Sequence, residues 1–357
     1  MNTNCFMGFS MIKEAMLYDK LEGNKVHCNV CGHRCIISNG KRGFCRVREN
    51  KNGILYTLIY NTVSSEAVDP IEKKPLFHFY PGTLAYSLGT IGCNFRCKHC
   101  QNWTISQIEL DKAYTVEITP EEAVQRALAV GAKTIAWTYN EPTIWYEYTY
   151  DCAKIAKEAG LATAYITNGY ITPEALKNIS LYLDAFRVDI KAFTDNFYRE
   201  ITSAKLGPVL ESAKLARELG IHVEVVNLVI PTHNDSLEEI RNMVKWIHEN
   251  LGSDTPLHFT RFQPQYKMSE LIPTPIRKLE EAHKIAKDEG MRFVYIGNVP
   301  GHDYENTYCP KCGTLLIRRN AFSLFEYNIT PKGSCPKCGE TIPIVGAAHD
   351  ELTVKSD

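Results

Sequence analysis

Three cysteines in one short loop constrain this chain more than any other feature. Cys93, Cys97 and Cys100 stand in GCNFRCKHCQNW, residues 92–103, directly after the apolar, β-prone run 84–91. The loop therefore leaves the end of a strand. The spacing is C-x3-C-x2-C, with no fourth cysteine nearby. A structural zinc closes with four ligands, and a disulfide framework needs an even count. Three thiolates on one loop suit a cubane iron–sulfur cluster with one iron left open for chemistry. A zinc or ferredoxin-type site completed by a distant cysteine is the competing explanation. Strand context and the later motifs weigh against it.

Eleven of the 13 cysteines fall into three tight groups. Short C-x2-C spacings without a secretory leader indicate metals and a reducing, cytoplasmic compartment rather than disulfides. Cys28, Cys31, Cys35 and Cys45 form C-x2-C-x3-C-x9-C. Four cysteines close either a tetrahedral zinc or a second, fully ligated iron–sulfur cluster, and spacing does not separate the two. His33, between them, reads as a solvated loop residue. Cys309-Pro-Lys-Cys312-Gly and Cys335-Pro-Lys-Cys338-Gly are paired knuckles, each glycine letting backbone amides approach the thiolates. They predict a zinc ribbon or rubredoxin-like module, with zinc favoured over iron. Cys5 and Cys152 stand alone, Cys152 as a small buried hydrophobe.

With 40 basic and 41 acidic residues, the net charge of −1 gives no global electrostatic case for nucleic acid. No apolar run approaches the ~20 residues of a membrane helix. From residue 84 strand-like and helix-like stretches alternate, the pattern of parallel strands with crossover helices. Strands are predicted at 84–91, 134–139, 162–167, 185–190, 222–229, 257–262 and 292–296. Thr119-Pro, Thr172-Pro and Thr274-Pro give helix starts. The fold class is α/β: a partial (β/α)6 TIM-like barrel, with room for a seventh edge strand, between small cysteine-rich metal-binding extensions. Its divisions are 1–83, 84–303, a 304–345 metal module and a disordered 346–357 tail, the first ten residues also being untethered. The 69–78 connector is an irregular packing loop or lid.

In such folds functional groups gather at the C-terminal ends of strands. Glu141 ends one strand, and Asn168 lies in a polar turn ending the next. Asp189 and Lys191, two apart, share one strand face and reach the same mouth, to bind ribose or carboxylate groups or to form a structural ion pair. His233 is placed to meet substrate, with Asn234 or Asp235 as equally good helix caps.

The cysteine loop is the signature of the radical S-adenosylmethionine superfamily, which this sequence resembles. Order and content of the motifs at 28–45, 69–79, 93–103, 139–142 and 309–338 are similar to the AmmeMemoRadiSam-system enzymes, relatives of pyruvate formate-lyase activating enzyme. The resemblance implies a 4Fe-4S cluster on Cys93, Cys97 and Cys100, the seat of catalysis, whose open iron chelates S-adenosylmethionine. Reductive cleavage then yields a 5′-deoxyadenosyl radical that abstracts hydrogen from substrate. It further implies that Glu141 binds the amino group of the cofactor, although Tyr139 and Asn140 replace the family's paired glycines. Asn168 falls near the ribose, and Asp189 and Lys191 bind ribose or carboxylate groups. The implied partners are an electron donor such as flavodoxin or ferredoxin and the companion proteins of that system. The substrate is unspecified, with small molecule, protein and RNA all open. The alternatives are an activase for a glycyl-radical enzyme and a non-catalytic iron–sulfur or zinc scaffold that binds partners such as RNA.

Overall fold

The computed structural model describes residues 11–346. The first ten residues, expected to be untethered and including Cys5, and almost all of the 346–357 tail, expected to be disordered, lie outside them. An eight-stranded sheet forms the centre of the molecule. Its strands run in the order Val294–Gly297, Leu257–Arg261, His222–Val229, Ala185–Asp189, Ala162–Thr167, Thr134–Trp137, Leu84–Gly89 and Ser65–Pro70. The first seven of these follow chain order across the sheet and pair parallel. Ser65–Pro70 adds an antiparallel edge.

Parallel strands covered on both faces read as continuous apolar runs, which is why all seven were predictable. Every residue of Thr134–Trp137 and Ala162–Thr167 is buried. The seventh edge strand for which there was room is present as Val294–Gly297, and the unexpected eighth runs into the first two residues, Asp69 and Pro70, of what read as an irregular connector. The two edge strands do not pair with each other.

Two predicted helix starts hold. Thr119 accepts from Glu122 N in a reciprocal capping box before Pro120–Ala129, and Thr172 accepts from Ala175 N before Pro173–Ile179. The third does not. The helix Ile276–Asp288 begins with Pro275 as its cap, while the Thr274 hydroxyl donates to Val229 O (2.6 Å) and accepts from Phe262 N (2.9 Å). Thr274 is a tie between strand ends. Cys152, fully buried in Tyr146–Glu158, is the small hydrophobe expected.

Before the sheet, short strands carry the first cysteine group: Tyr18–Leu21, Lys25–Cys28 and Ile36–Ile37 form one sheet, and Lys13–Glu14, Ile54–Thr57 and Arg48–Lys51 another. After it, Thr307–Tyr308, Leu315–Asn320 and Ser323–Tyr327 carry the last group. That segment packs Leu316, Ile317 and Ile342 against Phe77, Phe293 and Tyr295 of the body. Among the described residues, no helix is long and apolar enough to cross a membrane.

Candidate active site

Gly92 positions the cysteine loop. Its φ is +86°, and a Cβ there would lie 2.8 Å from Val47 Cγ1 and 3.1 Å from Cys45 O. Only glycine permits both the backbone turn and the close approach. Asn140 closes the loop's base, donating to Gly92 O (2.9 Å) and accepting from Thr90 N (3.2 Å). Asn102 reaches back from the other end to Tyr139 O (2.6 Å). Amides of Arg96 and Lys98 bond to Thr202 O and Ile201 O, fixing the middle.

Cys93, Cys97 and Cys100 line one cavity of about 510 Å³ at the C-terminal ends of the strands, in the size range of ligand sites. Glu141, Asn168, Asp189 and Lys191 line the same cavity. The structure therefore brings together all seven residues that sequence reasoning selected for the cluster and its cofactor. Phe95 N donates to Cys93 Sγ (3.3 Å), and Asn168 Nδ2 donates to Asn94 Oδ1 (2.8 Å) within 3.9 Å of the same sulfur. Burial pushes the Cys93 thiol well up and that of Cys97 to about 12. Thiols in that condition become thiolates when a bound cation supplies positive charge.

The Glu141 carboxylate is buried and accepts from Thr143 N (3.0 Å), Thr167 Oγ1 (2.7 Å) and Asn168 N (2.8 Å). It clamps two strand ends together. Burial raises its pKa, and those donors offset only part of the rise. Asp189 accepts from Arg187 Nη1 and from Lys191 Nζ (3.0 Å). Burial acts to raise its pKa, but the two cations outweigh it and hold the carboxyl below its ordinary value. Lys191 is in turn held protonated: burial acts to lower its pKa, and Asp189 outweighs it.

Two groups of lining residues were missed. Arg187 stands two positions before Asp189, so the same strand-face rule would have found it. The connector holds the second group: Asp69, Lys73, Lys74 and Pro75 all face the cavity. Asp69 accepts from Lys73 (2.8 Å), Lys74 (2.7 Å) and Tyr139 Oη (2.8 Å). Two of those partners are local, four and five residues on, but the third, Tyr139, comes from a distant strand end, and no spacing brings it to the connector.

Other expectations are corrected. His33 is half-buried and held, not free in solvent: its Nε2 lies 2.7 Å from Asn94 O and its ring stacks on Phe44 with centroids 4.0 Å apart. His233 does not line the cavity and contacts Pro231 O at 3.0 Å. Neither Asn234 nor Asp235 caps the Leu237–Leu251 helix. Asp235 accepts from Thr232 N (2.8 Å), while Asn234 donates to Lys191 O (2.6 Å) and Leu228 O (2.8 Å) and accepts from Ile230 N (2.5 Å).

The last four cysteines converge. Cys309, Cys312, Cys335 and Cys338 place their sulfurs within 4.8 Å of one another. The first four line a separate pocket with Val30, Ile37, Arg48 and Ile144.

A wound α/β sheet with a three-cysteine loop at the mouth of a strand-end cavity defines a class, and comparison agrees. A family model described as the Radical SAM superfamily matches residues 88–247. The chain therefore carries a radical SAM superfamily domain. It is 52% identical over 335 residues to an uncharacterized protein of Methanocaldococcus jannaschii, covering 94% of this chain and 100% of that one. It is 29% identical over 168 residues to the pyruvate formate-lyase-activating enzyme of Clostridium pasteurianum, covering 44% of this chain and 66% of the relative. The solved structure of a radical SAM methyltransferase from Sphaerobacter thermophilus overlays with a TM-score of 0.49 at 13% identity, covering 86% of this chain and 81% of the other.

A radical SAM domain implies a 4Fe-4S cluster and S-adenosylmethionine. The residues present fit both. Three thiols border the cavity, and two of its lining residues, His99 and Arg187, each carry a buried nitrogen with no partner among the described residues.

Proposed function

We propose that this chain is a radical S-adenosylmethionine enzyme of the AmmeMemoRadiSam type, acting on a substrate held at the strand-end cavity. The single observation that carries the reading is the shared wall: three loop thiols and the charged ends of three strands border one space of about 510 Å³. Held by those thiols, a 4Fe-4S cluster would supply one electron for the reductive cleavage of S-adenosylmethionine to methionine and a 5′-deoxyadenosyl radical, which would take a hydrogen atom from substrate. Cys93, Cys97 and Cys100 hold the cluster. Glu141, Asn168, Asp189 and Lys191 receive the polar groups of the cofactor, and the Asp69–Lys74 wall faces what remains of the cavity. A low-potential donor of the flavodoxin or ferredoxin kind delivers the electron in the cytoplasm. The tail cysteines hold a structural zinc. Their paired sulfurs, 3.5 and 3.7 Å apart, match the ~3.8 Å edge of a tetrahedron with ~2.3 Å Zn–S bonds.

The test is anaerobic turnover. Reconstituted chain given dithionite and S-adenosylmethionine should release 5′-deoxyadenosine and methionine, while Cys97→Ala, still folded by circular dichroism, should release neither. Undiminished cleavage in Cys97→Ala would overturn the assignment. A second reading, an activase that places a radical on a glycine of a partner enzyme, is favoured by the activating-enzyme relative. A glycyl-radical signal on a partner polypeptide would select it.

A further inference from the structure

We infer that Cys28, Cys31, Cys35 and Cys45 hold a second iron–sulfur cluster, fully ligated by protein, rather than a zinc ion. The argument rests on the three cysteine groups of one chain compared with each other. The tail sulfurs are drawn together to the spacing of a mononuclear tetrahedral site, all within 4.8 Å. Among the described residues, no three of the four N-terminal sulfurs come that close to one another. Neither do those of Cys93, Cys97 and Cys100, the group that fits a four-iron core. A cubane puts each thiolate on a different iron, so its cysteines stand apart around a common space instead of crowding one atom. All four N-terminal cysteines border one pocket, as that arrangement requires.

The walls agree with the sulfurs. Val30, Ile37 and Ile144 are buried and supply an apolar lining. Phe44 N donates to Cys35 Sγ at 3.5 Å, and Cys28 N donates to Cys35 O at 2.9 Å, folding the segment into a knuckle. Arg48 also lines the pocket and is almost wholly buried. Its Nη atoms are taken by Glu147 at 3.0 and 2.6 Å, but its Nε has no partner among the described residues. An orphaned, positively charged donor beside four thiolates suits sulfide or thiolate acceptors. With four protein ligands the cluster has no open iron, so it does not bind S-adenosylmethionine.

The site is also built into the active loop. Arg96 Nη1 donates to Cys93 O (2.7 Å), and Arg96 Nη2 donates to Phe44 O, the residue before Cys45. Cys45 O lies against Gly92. One guanidinium therefore spans the two cysteine groups.

Metal counting on the full chain decides the matter, and it does not depend on whether S-adenosylmethionine is cleaved. Anaerobically reconstituted protein should carry about eight irons, about eight sulfides and about one zinc. About four irons with about two zincs would overturn the proposal. Cys93→Ala/Cys97→Ala/Cys100→Ala should retain about four irons and, after reduction, a paramagnetic signal that S-adenosylmethionine leaves unchanged. Loss of all iron from that variant, with a second zinc in its place, would equally overturn it. Cys31→Ala/Cys35→Ala should lose about half the iron while keeping the signal that responds to S-adenosylmethionine.

Discussion

Tyr139 occupies a left-handed backbone conformation, φ +71°, at a position where the family pattern has glycine. A bulky residue tolerates this only when its surroundings over-determine it. Here its hydroxyl donates to Asp69, and its ring lies 5.7 Å from Lys74 Nζ. Asp69 is thus the counter-ion of a buried lysine and the anchor of a strained tyrosine. Burial drives the Lys74 pKa down from 10.5 to about 8 even with Asp69 beside it. Between those values the folded state binds fewer protons than the unfolded chain, so stability rises with pH across that window. Asp69→Asn removes the counter-charge, lowers the lysine pKa further and extends the window downward. The expected loss is about 3 kcal/mol near pH 6, the scale of breaking a buried pair, shrinking by about pH 9. Thermal unfolding of the holo chain at both pH values checks it; a loss independent of pH would show that Asp69 does not govern the charge on Lys74. Asp189 and Lys191 were legible because a strand's period is two. Asp69 was not, because its meaning depends on Tyr139 and Lys74 meeting in space.

Whole elements were legible where burial writes a continuous signal. The seven parallel strands are apolar because helices or neighbouring chain cover both faces. Ser65–Pro70 alternates half-buried with exposed residues over its first four positions, carries Glu66 and the buried Asp69 and ends in proline, so its sequence reads as loop. The strand-end ties were hidden for a similar reason: Asn234 has the composition of a cap, yet it fastens two strand ends. Asn234→Ala would leave Ile230 N, Lys191 O and Leu228 O unpaired, two of them at cavity-lining residues. Leaving buried groups unsatisfied costs about 1–3 kcal/mol, so the melting temperature should fall and the Kd for S-adenosylmethionine rise together. Thr119→Ala is the control. It loses a helix cap worth about 1 kcal/mol, far from the cavity, and should lower stability without changing that Kd. Equal effects of both variants on binding would separate Asn234 from the site.

At the scale of the molecule, the tail module and the cavity share one wall. The connector that presents Asp69, Lys73 and Lys74 to the cavity continues into Phe77 and His78, which the tail covers. His78 bonds to Tyr295 Oη (2.6 Å) and lies 3.1 Å from Pro343 O. Arg319, buried in the tail module, donates to Phe77 O (2.9 Å) and Thr307 Oγ1 (2.8 Å), with its Nε 3.7 Å from the buried Glu72 carboxylate. The tail therefore braces the connector from behind. Burial raises the Glu72 pKa above its usual value, and Arg319 offsets part of that rise. Arg319→Met removes the offset, so the pKa climbs further and the folded state holds a proton that the unfolded chain releases above about 4.3. The sign follows: stability in this variant declines as pH rises from the unfolded value through the raised folded one. The loss relative to the parent should reach about 3–5 kcal/mol near pH 8 and be smaller near pH 5. The iron content of the Cys93–Cys97–Cys100 site should be unchanged, while affinity for S-adenosylmethionine falls as the Asp69–Lys74 wall loosens. A pH-independent loss with unaltered affinity would mean that the tail is an appendage and not a brace.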